Sequence, residues 1–178
     1  MKLFHPTILL FGLSITAAAF AQQTAGLNEI ITVLPDNIQL EAKLDTGAAT
    51  SSIDAEDIEF FTKDNQEWVR FKVDRTLDKK IHTLEYQVER HVRIVARSPA
   101  EDANASSNYR RPVIKMDLCI GNAEKVVEVN LTNRENFKYP FLVGASTLAE
   151  FGLIVDASSA NIINQQCAAK KETPITTE

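Results

Sequence analysis

Leu44-Asp45-Thr46-Gly47-Ala48 decides the reading of this chain. An apolar residue, an aspartate, a small hydroxyl residue and a glycine make a turn that can display a carboxylate in mostly apolar surroundings. The preceding run, Ile38-Gln39-Leu40-Glu41-Ala42-Lys43-Leu44, alternates apolar and polar residues, which is the period of a half-buried strand. Asp45 therefore sits at a strand end beside a tight turn, a position that faces a cleft. The Thr46 hydroxyl can brace the turn by bonding to backbone. Gly47 permits close backbone approach and φ values that larger residues resist. The same residues also make ordinary Asx turns at strand ends, so the motif gains weight only from what accompanies it.

A second stretch accompanies it, Pro140-Phe141-Leu142-Val143-Gly144-Ala145-Ser146-Thr147-Leu148. Leu142 and Val143 form an apolar pair before Gly144, and a short helix is predicted near Ala145 to Phe151. Leu153-Ile154-Val155-Asp156 is then expected to return as a buried strand. Glycine at a strand end is in general compatible with close approach of another backbone. Read alone, the stretch is also an ordinary strand, glycine turn and helix cap.

The rest of the chain is punctuated by turns. Glu29 to Leu34 reads as a strand stopped by Pro35-Asp36-Asn37, and residues 22–28 before it as loose. Trp68 to Val73 alternates as a strand, Ile81 to Val95 as a long strand or a pair, and Val113 to Ile120 as a strand. Gly121-Asn122 signals a hairpin into Lys125 to Leu131. Ser98 to Asn108 is rich in Ser, Ala and Asn and reads as a loop. Many short strands at close spacing predict an all-β barrel or sandwich with one helix, in one domain.

Met1 to Ala21 carries one basic residue, Lys2, an apolar run from Ile8 to Phe20, and the small-x-small site Ala19-Phe20-Ala21. This is the pattern of a cleaved signal peptide that would leave Gln22 first, and the run is too short to serve as a stable membrane anchor. The domain is expected over 22–167, with a polar, disordered tail over 168–178. The expectation is an exported protein, periplasmic or secreted.

The full chain has 19 Lys and Arg against 24 Asp and Glu. Loss of Lys2 with the leader leaves 18 basic against 24 acidic residues, a net charge of −6. That balance argues against nucleic acid as a partner. The two cysteines, Cys119 and Cys167, read as a disulfide in an exported chain, the alternative being two free thiols. Asp54, Glu56, Asp57 and Glu59 read as a solvated acidic face. His82 and His91 lie in strand-like sequence without a zinc-site spacing, and no phosphate loop is present. No metal and no cofactor are expected. Asn104-Ala105-Ser106 and Asn130-Leu131-Thr132 match the glycosylation pattern.

Taken together, Asp45-Thr46-Gly47-Ala48 with Thr50-Ser51, Trp68-Val69-Arg70-Phe71, Arg110-Arg111-Pro112-Val113-Ile114, Val129-Asn130-Leu131-Thr132-Asn133-Arg134 and Phe141-Leu142-Val143-Gly144 resemble the bacterial retropepsin-like aspartic peptidases once labelled ATP-dependent zinc proteases. The resemblance spans roughly residues 29–158. It implies a closed acid-protease barrel with one short helix. Asp45 would be catalytic, Thr46, Gly47 and Ala48 would form the active-site turn, and Leu142, Val143 and Gly144 would support it. Two positions depart from the family pattern: Ala49 and Ala145 stand where the family usually has arginine.

Aspartic proteolysis needs two carboxylates sharing one proton, and this chain has one Asp-Thr-Gly. Asp156 also follows an apolar run, but no Thr-Gly follows it. The expectation is an exported endopeptidase acting on peptides or proteins, with the site shared across a homodimer. The flap over that site is expected in the segment from about His91 to Val113. The alternative is a non-catalytic peptide-binding module on the same lobe, which the two alanines favour. A metal-dependent hydrolase, the sense of the old label, ranks below both.

Overall fold

Alternation in sequence becomes a two-faced strand in the computed structural model, which describes residues 22–93 and 110–167. β3 (Ile38–Asp45) buries Ile38, Leu40, Ala42 and Leu44 and turns Gln39 and Glu41 to solvent. β2 (Asn28–Leu34) runs antiparallel to it, from Asn28 opposite Lys43 to Val33 opposite Ile38. On the other edge of β3 lies β10 (Phe141–Gly144), parallel, with Gly144 opposite Asp45. β10 also pairs antiparallel with β4 (Ser51–Asp54), and β4 pairs parallel with β9 (Ala123–Thr132).

β8 (Arg110–Ile120) forms a hairpin with β9, and its end returns to β2, with Thr32 opposite Cys119. The ring β2-β3-β10-β4-β9-β8 is thus a closed six-strand barrel. The start of β8 diverges from β2 and pairs instead with β7 (His82–Arg93). β6 (Gln66–Val73) and β5 (Glu56–Lys63) follow, a three-strand extension of the barrel wall. Leu40, Leu44, Ile53, Ile114, Met116, Leu118, Leu131 and Phe141 fill the barrel, and Phe71 seals the extension. The all-β barrel with one short helix, α1 (Ala145–Phe151), is therefore the observed fold.

The expected loose start is a strand. β1 (Gln23–Gly26) pairs parallel with β11 (Leu153–Asp156), and the buried Glu29 carboxylate accepts the Gly26 N–H at 2.6 Å. A short polar sequence without alternation gave no local sign of this, because the order comes from a distant partner. β11 itself is half-buried rather than fully buried, since it belongs to that separate two-strand sheet.

The chain after β11 crosses the barrel end as a strap. Ile162 and Ile163 donate backbone N–H groups to Glu29, each at 3.1 Å, and Gln165 bonds to the Ile30 carbonyl. The strap ends in the disulfide Cys119–Cys167, with Cα atoms 5.9 Å apart.

The solvated acidic face is corrected in one member. Asp54 is buried, accepting the Arg134 N–H at 2.5 Å and Arg75 Nη1 at 3.1 Å, whereas Asp57 and Glu59 are exposed. Asn130 is buried too, so the second glycosylation pattern is a core residue; Asn104 lies outside the described residues. The expected leader over 1–21 and the expected tail over 168–178 also lie outside them.

Candidate active site

The strand that carries Asp45 ends because residues 46 and 47 turn, and the aspartate itself holds that turn. Its Oδ1 accepts the Gly47 N–H at 3.0 Å, and its carbonyl accepts the Ala48 N–H at 3.3 Å. Thr46 is exposed, and its hydroxyl has no bond to any described residue, contrary to the bracing role expected for it. Gly47 is not in the left-handed region; a Cβ there would stand 3.3 Å from Asp45 Oδ1, so closeness rather than φ is what glycine supplies. The other carboxylate oxygen, Oδ2, faces Lys43 Nζ at 3.4 Å. Partial burial pushes the Asp45 carboxyl up. The Gly47 amide, the Lys43 charge and the Ala48 amide outweigh this and leave it below the usual carboxylate range.

Leu142, Val143 and Gly144 run beside this turn, in register with Lys43, Leu44 and Asp45. A Cβ on Gly144 would meet the Thr50 carbonyl carbon and oxygen at 2.5 Å and the Ala48 carbonyl oxygen at 3.0 Å. The crossing is bonded as well as close: Ala145 N–H donates to the Ala48 carbonyl at 2.7 Å and Ser146 N–H to Ala49 at 3.2 Å. Ser51 completes the clamp, its hydroxyl accepting the Gly144 N–H at 3.0 Å and donating to Thr147 Oγ1 at 2.8 Å. Asn130 holds the outgoing side, donating from Nδ2 to the Ser51 carbonyl at 2.6 Å.

Beyond β9, Arg134 is buried against the same wall. It donates to Ser52 Oγ at 2.9 Å and to the Tyr139 carbonyl at 3.2 Å. Burial pushes its guanidinium down to about 10, against the pull of the Asp54 charge. Lys43, Ser51, Asn130 and Arg134 are the parts of this neighbourhood whose roles the sequence reading missed. Lys43 had a legible signal: two residues before Asp45 on a strand is the same face.

Asp156 is occupied elsewhere, accepting from the Ser158 and Ser159 hydroxyls at 2.7 and 2.6 Å. The base of the expected flap is a hairpin, with His91 opposite Pro112 and Arg93 opposite Arg110; its tip, 94–109, lies outside the described residues. His82 bonds to Asp78 and His91 approaches Glu67, and no group of metal-ligating side chains occurs among the described residues. A depression of about 550 Å³ is lined by Leu34, Pro35, Leu84, Tyr86 and Lys115, away from Asp45. Asp45 is half-buried, with its side chain 30% exposed.

Four curated relatives match significantly. Among them are proteins named "Probable alpha-L-glutamate ligase" from Desulfotalea psychrophila, 31% identical over 122 residues, and Parasynechococcus marenigrum, 32% identical over 114. These matches cover 66% and 61% of this chain but only 24% and 22% of the relatives, so the chain spans about a quarter of their length. Among solved structures, Lpg0085 of Legionella pneumophila subsp. pneumophila str. Philadelphia 1, titled as having unknown function (DUF785), is similar with a TM-score of 0.66 and 28% identity. That match covers 81% of this chain and 100% of the other. Residues 24–166 match the family described as RimB-like, retropepsin-like aspartic endopeptidase RimB. With nearly every described residue inside that match, and an Asp-Thr-Gly turn crossed by an apolar-apolar-Gly strand, the chain belongs to the RimB-like family of retropepsin-like aspartic endopeptidases.

Proposed function

We propose that this protein is an exported aspartic endopeptidase whose active site forms when Asp45 turns of two copies meet on a twofold axis. The observation that carries the reading is the Asp45 carboxylate, displayed at a turn locked by Gly144. One carboxylate on one lobe is half of the chemistry. Two carboxylates that close cannot both ionise, so the pair keeps one proton. Water attacks the peptide carbonyl carbon and gives its proton to the ionised carboxylate. The protonated partner donates its proton to the carbonyl oxygen. Collapse of the tetrahedral species breaks the C–N bond and returns a proton to the leaving amine. The symmetric dimer supplies both groups from one sequence.

Export is supported by the leader-like sequence of residues 1–21 and by the Cys119–Cys167 disulfide, which suits an oxidising compartment. The substrate is a peptide or protein. Because the curated relatives are named for glutamate ligation, glutamate-rich peptides belong in the test set beside neutral ones. A second reading, a peptide-binding lobe without turnover, is favoured by Ala49 and Ala145, which stand where the resembled family usually has arginine.

Hydrolysis of a peptide library by residues 22–178, across acid to neutral pH, separates the two readings. The peptidase reading expects cleavage that Asp45→Asn reduces by at least roughly 10³-fold and that a metal chelator leaves unchanged. Binding of peptides without cleavage by the wild type would overturn it in favour of the second reading.

A further inference from the structure

The aspartic-peptidase reading leaves one charged neighbour of Asp45 without a role. Lys43 and Asp45 lie two residues apart on β3, and such residues leave a strand on the same face. Their backbone cannot slip, because β3 is paired on both edges at this point. Lys43 lies opposite Asn28 of β2 and Leu142 of β10, and Asp45 lies opposite Gly144. The carboxylate oxygens are divided between two jobs. Oδ1 is committed to the Gly47 amide at 3.0 Å, and Oδ2 is left to the Lys43 ammonium at 3.4 Å.

With side chains 43% and 30% exposed, this pair adds little to folding stability. Its effect falls on the titration of Asp45. The positions facing the pair from the adjoining strands, Asn28, Leu142 and Gly144, carry no charge. Arg134, from the segment after β9, also feels the Asp45 charge, but its side-chain hydrogen bonds go to Ser52 and Tyr139.

We infer that Lys43 is a positioning residue of the site, holding the Asp45 carboxylate ionised and thereby setting the pH range in which the paired carboxylates carry one proton. The inference rests on the peptidase reading above. When two Asp45 carboxylates approach, their like charges raise the affinity of the pair for protons. Two ammonium groups, one behind each carboxylate, oppose that rise. They also ease the approach of two ionised turns before a proton is captured. Removing the ammonium makes ionisation less favourable, so the single-proton window and the activity that depends on it move to higher pH.

The test compares wild type, Lys43→Met and Lys43→Arg in the 22–178 chain. It uses pH profiles of peptide hydrolysis, carbon-detected NMR titration of the Asp45 carboxyl, and thermal unfolding. Lys43→Met should unfold like the wild type, titrate Asp45 at higher pH, and carry its alkaline limb upward by about one pH unit. Lys43→Arg should keep the wild-type profile, because the charge remains. An active Lys43→Met enzyme with an unmoved limb and an unmoved Asp45 titration would overturn the inference. If the wild type cleaves nothing, the peptidase reading falls by itself. The carboxyl titration then still decides Lys43: a rise in the variant supports its hold on Asp45, and no change overturns it.

Discussion

Gly144 shows how one residue couples two chain segments. Its backbone lies against Thr50 and Ala48, where any side chain would collide with backbone carbonyls, that of Ala48 itself hydrogen-bonded to the Ala145 N–H. Such atoms cannot rotate away as the end of a flexible side chain could. Gly144→Ala should therefore cost about 2 kcal/mol, the usual scale for overpacking a fixed contact. Because the displaced atoms adjoin the Asp45 turn, the peptidase reading expects hydrolysis to fall more than stability alone explains. Urea unfolding and hydrolysis rates at a temperature where the variant is fully folded check both parts. Unchanged stability would mean that the crossing is looser than its geometry implies. The place of Asp45 at a strand end beside a turn was legible at this scale, since the alternation before it and Gly47 after it mark that end. Lys43 was passed over because a lysine at an alternating position reads as an ordinary solvent-facing residue.

At the scale of elements, strands with their own alternation were legible and those ordered by partners were not. β3 and β6 carry an apolar face in their sequence, and the barrel uses that face. β1 has no such pattern and exists because β11 and Glu29 receive it. Asp54 misled for the same reason: within an acidic run it reads as solvated, and only Arg75 and the Arg134 amide, from distant elements, explain its burial. The strap over residues 157–167 is another product of distant contacts. Its disulfide closes a sequence separation of 48. In the chain-entropy account, a loop of that size stabilises the fold by about 4 kcal/mol. Cys119→Ala with Cys167→Ala should approach that loss in chemical denaturation. Hydrogen exchange should rise first in the strap and in β1 and β11, because Glu29 and the disulfide hold these together. Exchange that rises instead in β8 and β9 would place the stabilisation elsewhere.

At the scale of the whole molecule, Asp45 ends one strand of a closed barrel, and the strap runs from the Asn28 end of β2, beside that strand end, to the disulfide and Gly121 at the end of β8. The fold was legible because strand spacing and two motifs agreed on it. The shared-site assembly is a proposal from chemistry: one Asp-Thr-Gly supplies one carboxylate where aspartic proteolysis needs two. Mixing wild-type and Asp45→Asn chains, unfolding and refolding them together, and measuring peptide hydrolysis against the wild-type fraction tests that inference most directly. If each site takes Asp45 from two chains, activity follows the square of that fraction, and an equal mixture retains about one quarter of the wild-type rate. Activity that falls in direct proportion to the wild-type fraction would mean that one chain is sufficient, and would contradict the shared site.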